Sequence, residues 1–490
     1  MAGHVFTKSA LDLILTNVIG KSLGSVDSKN VFARTILHPK ITGIAGDVIE
    51  QSVLGYPPDN DQEPDLIVDG RKTELKTTGI RTPKKDKNHV FEAKEPMTIT
   101  AVSPKTITST TFEDSKFWHK LKEMLLVYYH YDSDTTVKAS EYANFYIKGY
   151  EFHQFSDEEK EILKNDWLQV YNFIKEINEN APNPELEYPK ISSELKAQLM
   201  LIDTAPKWPH APRFRLKRAA VSTIVQKYFG EQFEILKQSF SSYDDLDKQL
   251  AIYTAKYYNK TISQLITELN IPINLNNKKD VSKSISEQIV TRMFGASSKK
   301  MNKIKLFSEL GLTVKTITQT KEGSRTEDTK LFRIDFDELL NQNTNFEDSA
   351  MFNNFNEKQF LFIIFEEPNS KSKLLENRFI GFKRFTFNDD FIEKEVKRTW
   401  HDTKNLIHKN ELKEIEVLDK KGMRILNKNG IIKTSINFPK SKTHTIFIRG
   451  TGANSAQKPL ILNDIKMYNQ DLWIKGVILV DLLQRIDYIK

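Results

Sequence analysis

The sequence predicts a mixed α/β chain made of two tandem copies of one domain. Three observations point there. Short, almost wholly apolar runs at 124–129 and 360–365 read as buried strands, and charged segments of helical period around Trp167 and Trp400 read as amphipathic helices. The same landmarks recur in the same order in both halves. A chain of 490 residues also exceeds the size at which one hydrophobic core usually suffices.

The repeat is carried by several matches in register. Phe112-Glu113-Asp114-Ser115 returns as Phe346-Glu347-Asp348-Ser349, each just ahead of its apolar run. Trp167, Asn172 and Ile174 correspond to Trp400, Asn405 and Ile407. Leu216-Lys217 and Gln226 correspond to Ile474-Lys475 and Gln484, and the segment 73–77 to the segment 312–316. A repeat of roughly 200 residues is an ordinary domain size. Both amphipathic patterns lapse at 238–243, which sets expected domains of 1–237 and 238–490. The polar stretch 270–283 reads as a surface loop of the second copy.

Composition narrows the function. Hydrophobic residues make up 39% and charged residues 28%, no apolar run approaches the roughly 20 residues of a membrane span, and no basic-then-apolar leader opens the chain, so a cytoplasmic protein with no membrane partner is expected. With no cysteine, disulfides, thiolate zinc sites and cysteine nucleophiles are excluded, and a metal would be held by oxygen or imidazole. A net charge of +7 and a pI near 9.0 suit a polyanionic partner such as nucleic acid. No Gly-x-x-x-x-Gly-Lys-Ser/Thr loop is present, so ATP-driven movement is not expected.

The segment Pro64-Asp65-Leu66-Ile67-Val68-Asp69-Gly70-Arg71-Lys72-Thr73-Glu74-Leu75-Lys76 reads as a β-hairpin with Asp69-Gly70 at its turn. Glu74 and Lys76, two apart on a strand, share a face, and Asp65 on the preceding strand can lie beside them. Two carboxylates and an ammonium suit Mg²⁺, a hard ion with oxygen ligands, next to a water polarised for attack on a phosphodiester. The halves differ at this point. Aligning 46–55 with 286–295 puts Val290 opposite Glu50; Thr313 stands opposite Glu74, an ungapped count puts Ile304 opposite Asp65, and only Lys76 keeps its type, as Lys315. The second copy is therefore expected to lack the acidic site.

The first half resembles the MutH mismatch-repair endonuclease, and the two-copy chain resembles the related type II restriction enzymes that cut at GATC. The resemblance runs through 15–25, Gly46-Asp47-Val48-Ile49-Glu50, Pro64-Asp65, 73–77, 111–122 and Phe214-Arg215-Leu216-Lys217, and in the second half through 396–403. It implies a restriction-endonuclease-like PD-(D/E)xK fold, Glu50, Asp65, Glu74 and Lys76 as the catalytic set with Lys120 in support, Mg²⁺ held by Asp65, Glu74 and Glu50, and a degenerate C-terminal copy that serves DNA binding. It further implies double-stranded DNA as substrate, a separately encoded DNA methyltransferase as functional partner, and a monomer in solution or a dimer on DNA. The spacing from aspartate to glutamate is longer here than in the family, which is expected to reflect a longer hairpin tip and leaves Asp69 as the competing ligand to Asp65.

For DNA contacts, Lys207, Arg213, Arg215 and Lys217 lie in a segment dense in groups that reach base edges and phosphates, in the region where the family places its base-reading loops. Lys84 and Lys85 are either a backbone clamp or a solvated turn. In the second copy Arg449, within Arg449-Gly-Thr-Gly, and Lys475, opposite Lys217, are the corresponding candidates.

Overall fold

The computed structural model describes residues 4–490 except 40, 58–62, 84–90, 134–136, 274–280, 283, 325–326, 343, 370–371, 420, 428–429 and 453–456, so Lys84 and Lys85 lie outside the described residues. Two compact units form: Met1–Gln249 with Val290–Leu312, and Leu250–Ile289 with Thr313–Lys490. They do not divide at 237/238. The segment Val290–Leu312 packs with the first unit, where Thr223 Oγ1 lies 2.8 Å from Ser308 Oγ and the Glu234 carboxylate accepts from the Ser297 and Ser298 amides at 2.6 and 2.8 Å.

The main sheet of the first unit has the order β1 (Val5–Phe6), β2 (Leu66–Val68), β3 (Arg71–Arg81), β6 (Met124–His130) and β7 (Tyr146–His153), with β4 (Glu92–Ala93) paired to β3. β3 runs parallel to β6, and β6 is buried from Met124 to Tyr129, as a central strand covered on its faces must be. Leu75, Leu125, Val127 and Tyr129 join Val48, Ile49, Leu11 and Leu15 in one core cluster. That fixes the pleat of β3: Leu75 faces this core, and Glu74 and Lys76 face the other way. A second sheet holds β5 (Met97–Ala101), β9 (Arg213–Leu216) and β8 (Ile202–Asp203).

The second unit carries β10 (Thr313–Gln319), β12 (Phe360–Glu366) and β13 (Arg378–Phe385) in one sheet, and β11 (Thr329–Arg333), β19 (Asn469–Ile474) and β16 (Ile446–Thr451) in another. Two short hairpins, β14 (Glu414–Glu416) with β15 (Thr434–Ile436) and β17 (Leu460–Leu462) with β18 (Ile465–Met467), complete it.

The ladders of the two units agree residue by residue. Glu74 pairs with Met124 and Thr313 with Phe360, both at the start of a parallel ladder. The antiparallel ladders that follow shift register between Tyr128 and Tyr129 in one unit and between Ile364 and Phe365 in the other, each opposite a glycine, Gly149 and Gly381. The second sheets shift register between Thr98 and Thr100 and between Lys330 and Phe332. Bulges are specific local features, so their recurrence at matched positions is informative. Ser115 and Ser349 each cap a helix, accepting from Trp118 N at 3.1 Å and Phe352 N at 3.0 Å. Trp167 and Trp400 each sit against the phenylalanine that precedes that cap, at 6.0 Å from Phe112 and 5.8 Å from Phe346.

One expected equivalence does not hold. Among the described residues no strand of the second unit precedes β10; the helix Lys305–Leu310 leads into it through Gly311 in the left-handed region. Ile304, aligned with Asp65 by an ungapped count, caps that helix and is buried. The carboxylate of Asp65 has no structural counterpart there because its strand has none.

One buried carboxylate and one half-buried ammonium illustrate the electrostatics of the two units. Asp166, on the helix Asp157–Asn180, is fully buried and accepts from the amides of Met200, Leu201 and Ile202 at 2.8, 2.8 and 3.2 Å, tying the entry to β8. Asp166→Ala would leave three buried donors unpaired and lower the stability of the first unit by about 3 kcal/mol or more, read as a lower urea midpoint. In the second unit, burial and the neighbouring Arg449 push the Lys440 ammonium down to about 8 from 10.5. The fold favours the neutral amine, so Lys440 costs stability below its folded value and ceases to cost it above the unfolded one. Lys440→Met is expected to stabilise the second unit at pH 7 by on the order of 1–2 kcal/mol, the gain shrinking as pH rises from 8 towards 10.5.

Candidate active site

The hairpin reads as expected at its turn and differs in its length. Asp69 and Gly70 have φ of 47° and 78°, both positive, and Val68 pairs with Arg71, so the tip is a two-residue turn of the type that Asp-Gly favours. The added spacing from Asp65 to Glu74 lies in the paired residues of β2 and β3, not in a longer tip. Asp69 is committed elsewhere: its carboxylate oxygens each accept from Lys8 N at 3.3 Å and its amide donates to Phe6 O at 3.0 Å, at the start of the first helix. Asp65 instead lies beside the strand of Glu74, with Oδ2 accepting from Leu75 N at 2.9 Å. Of the two aspartates, Asp65 is the one at the cluster.

Glu74 is wholly buried and held by two ammonium groups. Lys76 Nζ stands 2.6 Å from Oε1, and Lys120 Nζ donates to Oε1 and Oε2 at 2.9 and 3.0 Å. Lys120 reaches in from the helix Lys116–Leu121, whose buried face is Phe117, Trp118, Lys120 and Leu121. The local sequence makes that helix: Ser115 caps it, the Ser115 hydroxyl donates to Phe112 O at 2.6 Å, and Phe112 stacks on Trp118 with centroids 5.2 Å apart. A buried carboxylate is tolerable only when paired and hydrogen-bonded, and two lysines supply both. The Asp65 carboxyl is raised above the usual range, first by burial and then by the negative charge of Glu74, with Lys76, Lys120 and the Leu75 amide pulling it back.

Glu50 lies in a π turn, Ile49–Val53, closed by Leu54 N donating to Ile49 O at 2.9 Å. Such turns are often found at functional sites. Among the described residues no three His, Asp or Glu side chains are arranged to hold a metal ion. Glu50 therefore does not complete a triad with Asp65 and Glu74 in this conformation, in which both Glu74 oxygens face lysines. The donor chemistry still fits a hard divalent ion: two carboxylates are close enough to repel, and a cation between them would relieve that repulsion.

The expected DNA-contacting residues fall in different environments. Arg213 is exposed on β9 and Lys207 is exposed in the loop before it. Arg215 is engaged by Asp203, Nε to Oδ1 at 2.7 Å and Nη2 to Oδ2 at 2.9 Å, a bidentate pair across the strands β8 and β9. Lys217 caps the next helix and its ammonium donates to Leu199 O. In the second unit Arg449 pairs with Asp328 Oδ2 at 2.5 Å, with its guanidinium over Trp473 at 4.8 Å, and Lys475 caps the helix Gly476–Gln484. The residues at the ladder positions of Glu74 and Lys76 are Thr313 and Lys315; Lys315 Nζ donates to Lys330 O at 3.1 Å. Asn354, as far beyond Ser349 as Lys120 is beyond Ser115, bonds back to Ala350 O at 2.7 Å. Asp166 and Asp203 were not among the expected site residues; their roles depend on partners far away in sequence.

Glu74 and Lys76 on β3, Lys120 from the neighbouring helix and Asp65 just ahead of β2 thus form one charged cluster on a mixed α/β sheet. Residues 54–166 match the family model of the DNA mismatch repair enzyme MutH, which supports a MutH-like endonuclease of DNA. The matched segment contains Asp65, Glu74, Lys76 and Lys120, and excludes Glu50, every expected DNA-contacting residue from Lys207 onward and the whole second unit. No curated protein matches the chain.

The geometry makes Glu74 and Lys120 a coupled pair. Glu74→Gln and Lys120→Met are each expected to destabilise the first unit, Lys120→Met by less because Lys76 remains, and the double variant by less than their sum. A double-mutant cycle on urea midpoints should give a coupling on the order of 2 kcal/mol.

Proposed function

We propose that this protein is a Mg²⁺-dependent, sequence-specific endonuclease of the type II restriction class that makes double-strand cuts in DNA, with GATC as its site. The observation that carries the reading is the contrast between matched positions: Glu74 and Lys120 in the first unit against Thr313 and Asn354 in the second, with only Lys76 kept in type as Lys315. A duplicated domain that keeps its ladders, bulges and caps and loses one charged cluster is readily explained if the cluster did chemistry in the copy that kept it. The first unit then cuts, and the second, a degenerate copy, grips DNA. A separately encoded DNA methyltransferase would protect the host's own sites, and the protein would act as a monomer in solution or a dimer on DNA.

In this reading Asp65 and Glu74 would hold Mg²⁺, with Glu50 as the further carboxylate ligand. The ion supplies charge neutralisation at the phosphoryl group and a more acidic bound water. Lys76 would turn from Glu74 to orient the attacking water and offset negative charge on the phosphoryl oxygens as the water oxygen bonds to phosphorus, its proton passing to solvent, and the ester oxygen departs and takes a proton from solvent. Lys120 stays on Glu74 and keeps that carboxylate aimed.

A second reading, a nicking endonuclease of DNA repair, is favoured by the name of the matched family and disfavoured by the second unit, which nicking does not need. Plasmid cleavage separates them. Mg²⁺ with unmethylated plasmid should give discrete linear fragments, whereas nicked circles would support the repair reading and intact plasmid would refute both. Chelation should abolish cutting, and Lys76→Ala or Glu74→Ala should each lower the rate by about 10³-fold or more while specific binding persists. Lys315→Ala combined with Arg449→Ala should weaken DNA binding about tenfold and leave the single-turnover rate at saturation unchanged.

A further inference from the structure

The proposed metal ligands of the first unit come from two chain segments. Glu50 lies in the π turn Ile49–Val53, and the amide of Tyr56, three residues beyond that turn, donates to Glu50 O at 3.2 Å. Asp65 lies just outside β2, one residue before Leu66, the first residue paired to β3. One side chain touches both segments. His4 Nδ1 stands 2.8 Å from Asp65 O, and the His4 ring lies against Tyr56 with centroids 4.3 Å apart at an interplanar angle of 34°.

The chemistry of the contact fixes its direction. A carbonyl oxygen only accepts, so Nδ1 carries the proton and donates. The backbone places His4 for this: β1 pairs parallel to β2, Val5 with Ile67 and Phe6 with Val68, and His4 is the next residue outward. Its imidazole N–H then does for Asp65 what a further ladder rung would do. The Asp65 side chain is anchored on its other side by Leu75 N. With both its carbonyl and its carboxylate held, the position of Asp65 relative to Glu74 is set before any ion arrives.

We propose that His4 is a positioning residue for the metal site: its Nδ1–H fixes the Asp65 backbone, its ring packs on Tyr56 just beyond the Glu50 turn, and together these contacts tie the segment of Asp65 to the segment of Glu50. The proposal rests on the reading of Asp65, Glu74 and Glu50 as metal ligands. Partners of this kind, which orient ligands without touching the ion, commonly change metal affinity by ten- to a hundredfold when removed.

The test is a titration of the full-length protein with Mn²⁺, without DNA, followed by calorimetry and by electron paramagnetic resonance of the free ion. His4→Phe keeps a ring against Tyr56 and lacks the donor; His4→Asn restores an N–H near the place of Nδ1. About tenfold weaker Mn²⁺ binding in His4→Phe, with recovery to within about threefold in His4→Asn, is the expected result. The hydrogen exchange rate of the Leu75 amide, whose acceptor is Asp65, should rise in His4→Phe and not in His4→Asn. Binding that is lost in Glu74→Ala and unchanged in His4→Phe would overturn the role of His4 alone. Wild-type protein with no affinity for Mn²⁺ would overturn both that role and the metal-site reading beneath it.

Discussion

The burial of the Glu74 carboxylate is the constraint from which the first unit's organisation follows. A carboxylate with no solvent contact on a central strand must be met by cations, and the two that meet it come from different places: Lys76 from the same strand face, and Lys120 from a helix that a serine cap and a phenylalanine stack hold against the sheet. Their convergence needs the parallel pairing of β3 with β6, because that ladder sets where β3 stops facing the aliphatic core and starts facing the cluster. The result is a charged cluster in which the Asp65 and Glu74 carboxylates repel each other and two lysines neutralise Glu74. In the second unit the same ladder starts at Thr313, so no lysine is needed to neutralise a carboxylate there, and the position of Lys120 is free to hold an asparagine.

Under the proposed function, that difference lets two units with matching ladders serve different purposes. The sheet registers, bulges and caps are indifferent to the identity of a residue that projects away from the aliphatic core. A substitution at the ladder position of Glu74 or Lys76 leaves the packing intact, and chemistry can be lost while the architecture persists. The basic groups that remain in the second unit, Lys315 and Arg449, are of the kind that contacts a phosphate backbone without a metal.

Much of this was legible in the sequence, for definite reasons. Phe-Glu-Asp-Ser recurs because its serine caps a helix and its phenylalanine packs on the aromatic residue three positions past that cap, Trp118 in one copy and Phe352 in the other, and both needs are local. Glu74 and Lys76 were placed on one face because strand periodicity is two. What escaped the sequence depends on pairing at a distance. The ungapped match of Asp65 with Ile304 failed because a helix, Lys305–Leu310, and not a strand leads into β10, and that helix belongs to the segment that packs with the first unit. The engagement of Arg215 by Asp203 is a cross-strand contact, and nothing near Arg215 announces it. The boundary at 237/238 missed the return of Val290–Leu312 to the first unit, since a polar linker marks where a pattern lapses and not where the chain later packs. His4 carries no motif; only the register of β1 on β2 brings it to Asp65.

If the first unit is the nuclease, its acidic cluster takes up a divalent ion and the matched positions of the second unit do not. Crystals of the protein with duplex DNA, soaked in Mn²⁺ and measured at the manganese edge, test it directly. The account predicts anomalous density between Asp65 and Glu74, with none beside Thr313 and Lys315. Density at neither place, or at the second alone, would contradict it.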